Sequence, residues 1–159
     1  MGTYMVVSVG LARAGRERDA VEDAQQGYQH ACELGLERAL GSYVAVNLAS
    51  GLLELGRWAE CERLARELLA GDTWDAFGEH RVLGLLFTRR GEFAAVREHL
   101  LLGRRLSPAF FGGLTWWGPV ELALWEGRHD EASAAVAEGL RWCAEHDPRD
   151  VLPQRTSRW

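Results

Sequence analysis

Apolar residues recur along this chain in two alternating patterns. The segments Val44-Ala45-Val46-Asn47-Leu48-Ala49 leading into Leu52-Leu53-Glu54-Leu55, Val82-Leu83-Gly84-Leu85-Leu86-Phe87 and Val120-Glu121-Leu122-Ala123-Leu124-Trp125 are apolar on nearly every side of a helix. A helix of that kind must be covered by neighbours on most of its surface. The segments that follow are one-faced. Trp58, Cys61, Leu64, Ala65, Leu68 and Leu69 share one face, while Glu60, Glu62, Arg63, Arg66 and Glu67 take the other. Spacing of three and four residues is the signature of an amphipathic helix. Ala132, Ala135, Val136, Leu140 and Cys143 form a similar stripe. The pattern predicts a buried helix A followed by a half-exposed helix B, repeated.

Between A and B lies a recurrent turn. It reads Gly15-Arg16-Glu17-Arg18-Asp19-Ala20, then Gly56-Arg57-Trp58-Ala59-Glu60-Cys61, Gly91-Glu92-Phe93-Ala94-Ala95-Val96 and Gly127-Arg128-His129-Asp130-Glu131-Ala132. The glycines are 41, 35 and 36 residues apart, a period that marks helical repeat arrays. Glycine suits a helix C-terminus that needs a left-handed residue. The spacing predicts an all-α array of about four helix-turn-helix pairs, with helices over 3–13, 17–34, 37–55, 58–70, 75–90, 92–105, 114–126 and 129–146. The longer first interval calls for an extended helix B in the first unit or helix A in the second. Pro119 is placed in the first turn of a helix that starts later than 114, where its missing N–H is harmless. One helical repeat domain over 1–147 results, with units of about 1–35, 36–73, 74–108 and 109–147 and an irregular tail over 148–159.

Composition narrows the chemistry. All 18 basic residues are Arg, so there is no lysine for a P-loop, a Schiff base or a Ser-Lys pair. A net charge of -5 gives no basic footprint for nucleic acid. The three cysteines, Cys32, Cys61 and Cys143, are odd in number and widely spaced, which fits a reduced, cytoplasmic setting better than a disulfide framework. The apolar run from Met5 to Ala12 has no basic segment before it and is interrupted by Ser8 and Gly10, unlike a signal peptide. No stretch approaches the roughly 18 apolar residues of a membrane span.

Candidate sites are weak. His30-x-Cys32 and Cys143-x-x-His146 hold metal-ligand residue types, but structural zinc wants two close pairs, and these belong to opposite ends of an array. Cys32 and Cys143 read better as small packing residues. No Gly-x-Ser-x-Gly elbow and no His-Glu-x-x-His occurs, and no Ser has an evident base. We expect no enzyme activity and no cofactor. Trp116, Trp117, Trp125 and Trp142 gather near the fourth unit. Core packing is the simpler account of them, with an aromatic pocket for a small-molecule inducer as the alternative.

The turn motif resembles the tetratricopeptide repeat. The second unit fits best, with Leu48, Ala49, Gly56, Trp58, Glu60, Cys61, Ala65 and Leu68, and the third adds Gly84, Phe87 and Pro108. The fourth departs at Pro119 and Val120, and the first is weakest. Longer strings are more specific. Gly35-Leu36-Glu37-Arg38, Val46-Asn47-Leu48-Ala49, Leu53-Glu54-Leu55-Gly56-Arg57-Trp58 and Glu121-Leu122-Ala123-Leu124-Trp125-Glu126-Gly127-Arg128 resemble the helical-repeat region of large actinobacterial LuxR-type transcriptional regulators. In that family an ATPase domain precedes the repeats and a helix-turn-helix follows them. The likeness covers roughly residues 14–149 and neither flanking domain. The chain therefore reads as a truncated regulator, a gene fragment or a stand-alone remnant.

The resemblance implies a right-handed array with helix A of each unit on the concave side. The matching groove residues are Tyr43, Asn47, Ser50 and Glu54 in unit two, Arg81, Leu85 and Arg89 in unit three, and Trp117 and Glu121 in unit four. Arg81 and Arg89, eight apart, fall on one face. They are suited to a carboxylate or phosphate or to pairing with Glu54 and Glu121. The cation clamp of chaperone-tail-binding repeats is not reproduced, since only Asn47 matches it, and Met5 and Val9 stand where basic and Asn residues belong. The expected role is a non-enzymatic interaction and signal-transmission module. Its partners would be protein, including ATPase or DNA-binding segments of a parent regulator, with a small-molecule inducer as the alternative and with neither nucleic acid nor membrane. Ends without a polar cap would promote self-association.

Overall fold

A computed structural model describes residues 2–71, 76–106 and 117–145. Eight α-helices follow one another: α1 (Gly2–Arg13), α2 (Glu17–Glu33), α3 (Ser42–Glu54), α4 (Trp58–Ala70), α5 (Phe77–Arg90), α6 (Phe93–Leu106), α7 (Trp117–Trp125) and α8 (His129–Glu145). No strand occurs among the described residues. This is the all-α helical repeat array that the periodicity predicts. Parts of the expected loops and the tail, including Ser107-Pro108, Gly112-Gly113 and 146–159, lie outside the described residues.

The turns explain the pairing. Gly15, Gly56, Gly91 and Gly127 all have φ between 71° and 75°, the left-handed region that side chains avoid. Each closes the preceding helix with the same two backbone bonds. At Gly56 the glycine N–H donates to Leu53 O (3.1 Å) and the Arg57 N–H to Leu52 O (2.9 Å), a Schellman arrangement. After Gly15, Gly56 and Gly127 the next residue is an arginine bonded three residues on to an acid, as in Arg16–Asp19 (2.5 Å) and Arg57–Glu60 (2.6 Å).

The two helix types differ as the sequence requires. Every residue of α5 from Val82 to Thr88 is buried, and α3 buries Val44, Ala45, Leu48, Ala49, Leu52 and Leu53. In α4 only the stripe Cys61, Leu64, Ala65 and Leu68 is buried. Each fully covered Leu, such as Leu53, Leu83 or Leu86, contributes about 1.5–3 kcal/mol. The Thr88 hydroxyl, inside this core, donates to Gly84 O at 2.8 Å and so is satisfied. Successive A helices pack on one another, α1 on α3, α3 on α5 and α5 on α7. That contact sets up a continuous face for a site.

Three features differ from the sequence expectation. The second A helix is preceded by a π-helical turn, Glu37–Gly41, in which the Gly41 N–H reaches back to Leu36 O at 3.0 Å. That turn supplies the extension that the longer first interval calls for. Helix α1 buries only Ser8, while Val6, Val7 and Val9 are exposed, because α1 packs chiefly on α2 and α3 among the described elements. Cys32 and Cys143 are exposed, not packed in the core, whereas Cys61 is buried.

The last pair is also open. Leu124 and Trp125 on α7 and Val136 and Leu140 on α8 are exposed. Within the predicted α8 stripe only Ala132 is buried. Among the described elements α8 packs chiefly on α7.

Candidate functional site

The A helices place most of the expected groove residues on one side. Asn47 of α3 donates from Nδ2 to Met5 O (3.3 Å) and to Ser8 Oγ (3.2 Å), so it ties α3 to α1. One turn later the Ser50 hydroxyl donates to Val46 O at 2.8 Å and accepts from Arg81 at 3.2 Å. Near the C-terminal end of α3, Glu54 meets Arg89 of α5 at 2.8 Å. The same guanidinium reaches Glu121 of α7 at 3.4 Å. Glu54, Arg89 and Glu121 thus form a charge ladder across three successive units.

The two groove arginines have different fates. Burial works to lower the pKa of Arg89, but Glu54 and Glu121 more than offset it and the net direction is upward. Burial drives the Arg81 guanidinium below its ordinary value, and only the field of Glu54 opposes this. Glu54 itself is bonded to Arg89. The half-buried arginines elsewhere, Arg90 and Arg128, are held directly by Glu62 and by Glu126 and Glu131. Among the described residues Arg81 is held by a hydroxyl.

Arg81 borders a cavity of about 180 Å³ between α1, α3 and α5. Met5, Val9, Val46 and Phe77 are its apolar lining, and Ser42, Tyr43, Asn47, Glu79 and Arg81 its polar lining. Met5 and Val9 stand at the clamp positions that the sequence identifies, whereas Val46 and Phe77 were not legible as groove residues. Phe77 lies one turn before Arg81 on the same helix face, and that spacing was the available signal.

Other expected residues do not join this cluster. Leu85 is buried at 5% exposure within the central core, so it forms the floor beneath the groove and offers no contact surface. The Trp117 side chain and all of Trp116 lie outside the described residues. Trp125 is 58% exposed, so it does not line an enclosed aromatic pocket.

A second polar feature was missed entirely. His80 of α5 and His99 of α6 approach through their Nδ1 atoms at 2.8 Å. One ring must donate and the other accept, so the accepting ring carries no proton on its Nδ1. Burial lowers the pKa of each, and for His99 the neighbouring His80 lowers it further. The Cys61 thiol is pushed up to about 11 by burial, which leaves it protonated and unreactive near neutral pH. Among the described residues no group of three or more His, Cys, Asp or Glu side chains is placed to hold a metal ion. No described helix is long and apolar enough to cross a membrane.

No family model matches the chain, and no curated protein matches it. Among solved structures it is similar to one described as the crystal structure of BtubC (BKLC) from P. vanneervenii. The two share 18% identity at a TM-score of 0.63, over 99% of this chain and 68% of that one. At that identity the likeness carries the helical fold and no statement about activity or partners.

Proposed function

We propose that this chain is a non-enzymatic interaction and signal-transmission module of the tetratricopeptide-like kind, part or remnant of a LuxR-type regulator, working in the cytoplasm. The observation that carries the reading is the Glu54–Arg89–Glu121 ladder. It links the A helices of three units along the face where Tyr43, Asn47, Ser50 and Arg81 also lie. A ladder shared by three helices offers a contiguous network through which a ligand on this face could couple them. The test is titration of this chain with the ATPase and helix-turn-helix segments of a LuxR-type regulator. Saturable binding to either supports the module. Binding to neither, at concentrations up to about 100 μM, removes its basis.

A second reading, a small-molecule sensor, is favoured by the cavity between α1, α3 and α5. This relocates the ligand from the tryptophans of the fourth unit to the first half of the array.

A further inference from the structure

We propose that the cavity between α1, α3 and α5 binds a small apolar monocarboxylate of aryl-acetate size, with Arg81 receiving the carboxylate. The proposal deepens the sensor reading and rests on it. Size comes first. A dry apolar cavity of about 150 Å³ accommodates benzene, so about 180 Å³ holds one ring or a short branched chain plus a small polar head. The wall has the matching chemistry, since Met5, Val9, Val46 and Phe77 offer the ring an apolar surface.

The head group follows from charge. Arg81 lines the cavity, it is half-buried, and it donates to the neutral Ser50 hydroxyl. A guanidinium has five donors in a planar fork that matches a carboxylate. Glu54, the acid whose field reaches Arg81, is already bonded to Arg89. Glu79 also borders the cavity. At 1% exposure its side chain presents almost no open surface there. The cavity therefore sets the Arg81 guanidinium among apolar side chains, which favours an anion with an apolar tail over a cation or an extended polar chain.

The assay is calorimetric titration of the full chain with phenylacetate, its neutral amide phenylacetamide, and benzylamine. Phenylacetate is expected to saturate with a Kd of about 10 μM to 1 mM, the range open to a ligand of this size. The amide and the amine should bind at least about tenfold more weakly, because neither offers a carboxylate to Arg81. Arg81→Met keeps the length of the side chain and removes the charge, and it should abolish phenylacetate binding while the helical circular dichroism is unchanged. Val9→Trp fills the cavity from its exposed rim and should abolish binding with Arg81 intact; it decides the matter if Arg81→Met does not fold. Preference for the amide or the amine would overturn the carboxylate assignment and leave a sensor of another class. Undiminished binding in Arg81→Met would overturn the role of Arg81. No saturable binding by any of the three would count against the cavity as a ligand site altogether.

Discussion

Glu54 gives its carboxylate to Arg89 at 2.8 Å. That contact decides the electrostatics of the whole groove. Arg89 becomes the shared rung between α3 and α7, and Arg81, eight residues earlier on the same helix, is held by Ser50. Removing Arg89 leaves Glu121, a side chain only 16% exposed, without its counter-charge. Arg89→Met should destabilise the protein by about 1–3 kcal/mol. Adding Glu121→Gln should recover part of that loss, because the two sites are coupled. Urea unfolding of the single and double variants measures it, and strict additivity would contradict a shared ladder.

The His80–His99 contact makes stability depend on pH. Both folded-state pKa values are lowered, mainly by burial, while Glu98 works in the opposite direction on each and Arg66 adds to the lowering at His99. A depressed histidine keeps its stabilising effect above the unfolded pKa near 6.5 and loses it as pH falls through the folded value. The midpoint of urea unfolding should therefore decline as pH drops below about 6.5. The decline should be shallower in His99→Phe, which removes one of the two groups. An equal slope in wild type and variant would show that other groups cause it.

Gly51 of α3 tests the closeness of the helices. A Cβ there would lie 2.5 Å from Val21 Cγ2 on α2, and the branched Val side chain has little freedom to move aside. Alanine is favoured over glycine in a helix by about 1 kcal/mol, but overpacking of this kind costs about 1–3 kcal/mol. Gly51→Ala should give a net loss of stability, read as a fall in Tm. A rise would mean that α2 and α3 can separate at little cost.

The apolar residues left open on the last pair predict association. Leu124 and Trp125 on α7 and Val136 and Leu140 on α8 are exposed, and exposed apolar surface of this kind seeks cover. Sedimentation should show mass rising with concentration, and Leu140→Glu should reduce it. A monomer at all concentrations in both proteins would contradict this.

The parts of the fold that were legible are those written in local pattern. Glycine at Gly15, Gly56, Gly91 and Gly127 fixes the turns through a left-handed φ that only glycine adopts freely. The 3.6-residue period of α4 fixes which side of it is buried. The π-helical turn at Glu37–Gly41 was not legible, because a backbone bond shifted by one residue leaves no mark on the apolar pattern. The site was legible in part. Position along helix A put Tyr43, Asn47, Ser50, Arg81 and Arg89 on one face, but it could not separate Arg81 from Arg89. That separation depends on where Glu54 and Glu121 end up in three dimensions. Leu85 follows the same periodicity and yet points into the core, since α5 is covered on nearly every side.

The account rests on the proposal that the face shared by the A helices is the working surface of the array. The most direct test is to titrate the chain, and its Glu121→Gln and Tyr43→Ala variants, with the ATPase and helix-turn-helix segments of a LuxR-type regulator. The account predicts saturable binding to one segment, weakened at least about tenfold by both groove substitutions and unchanged by Glu67→Gln on the exposed side of α4. Binding that all four proteins share equally, or binding to neither segment, would contradict it.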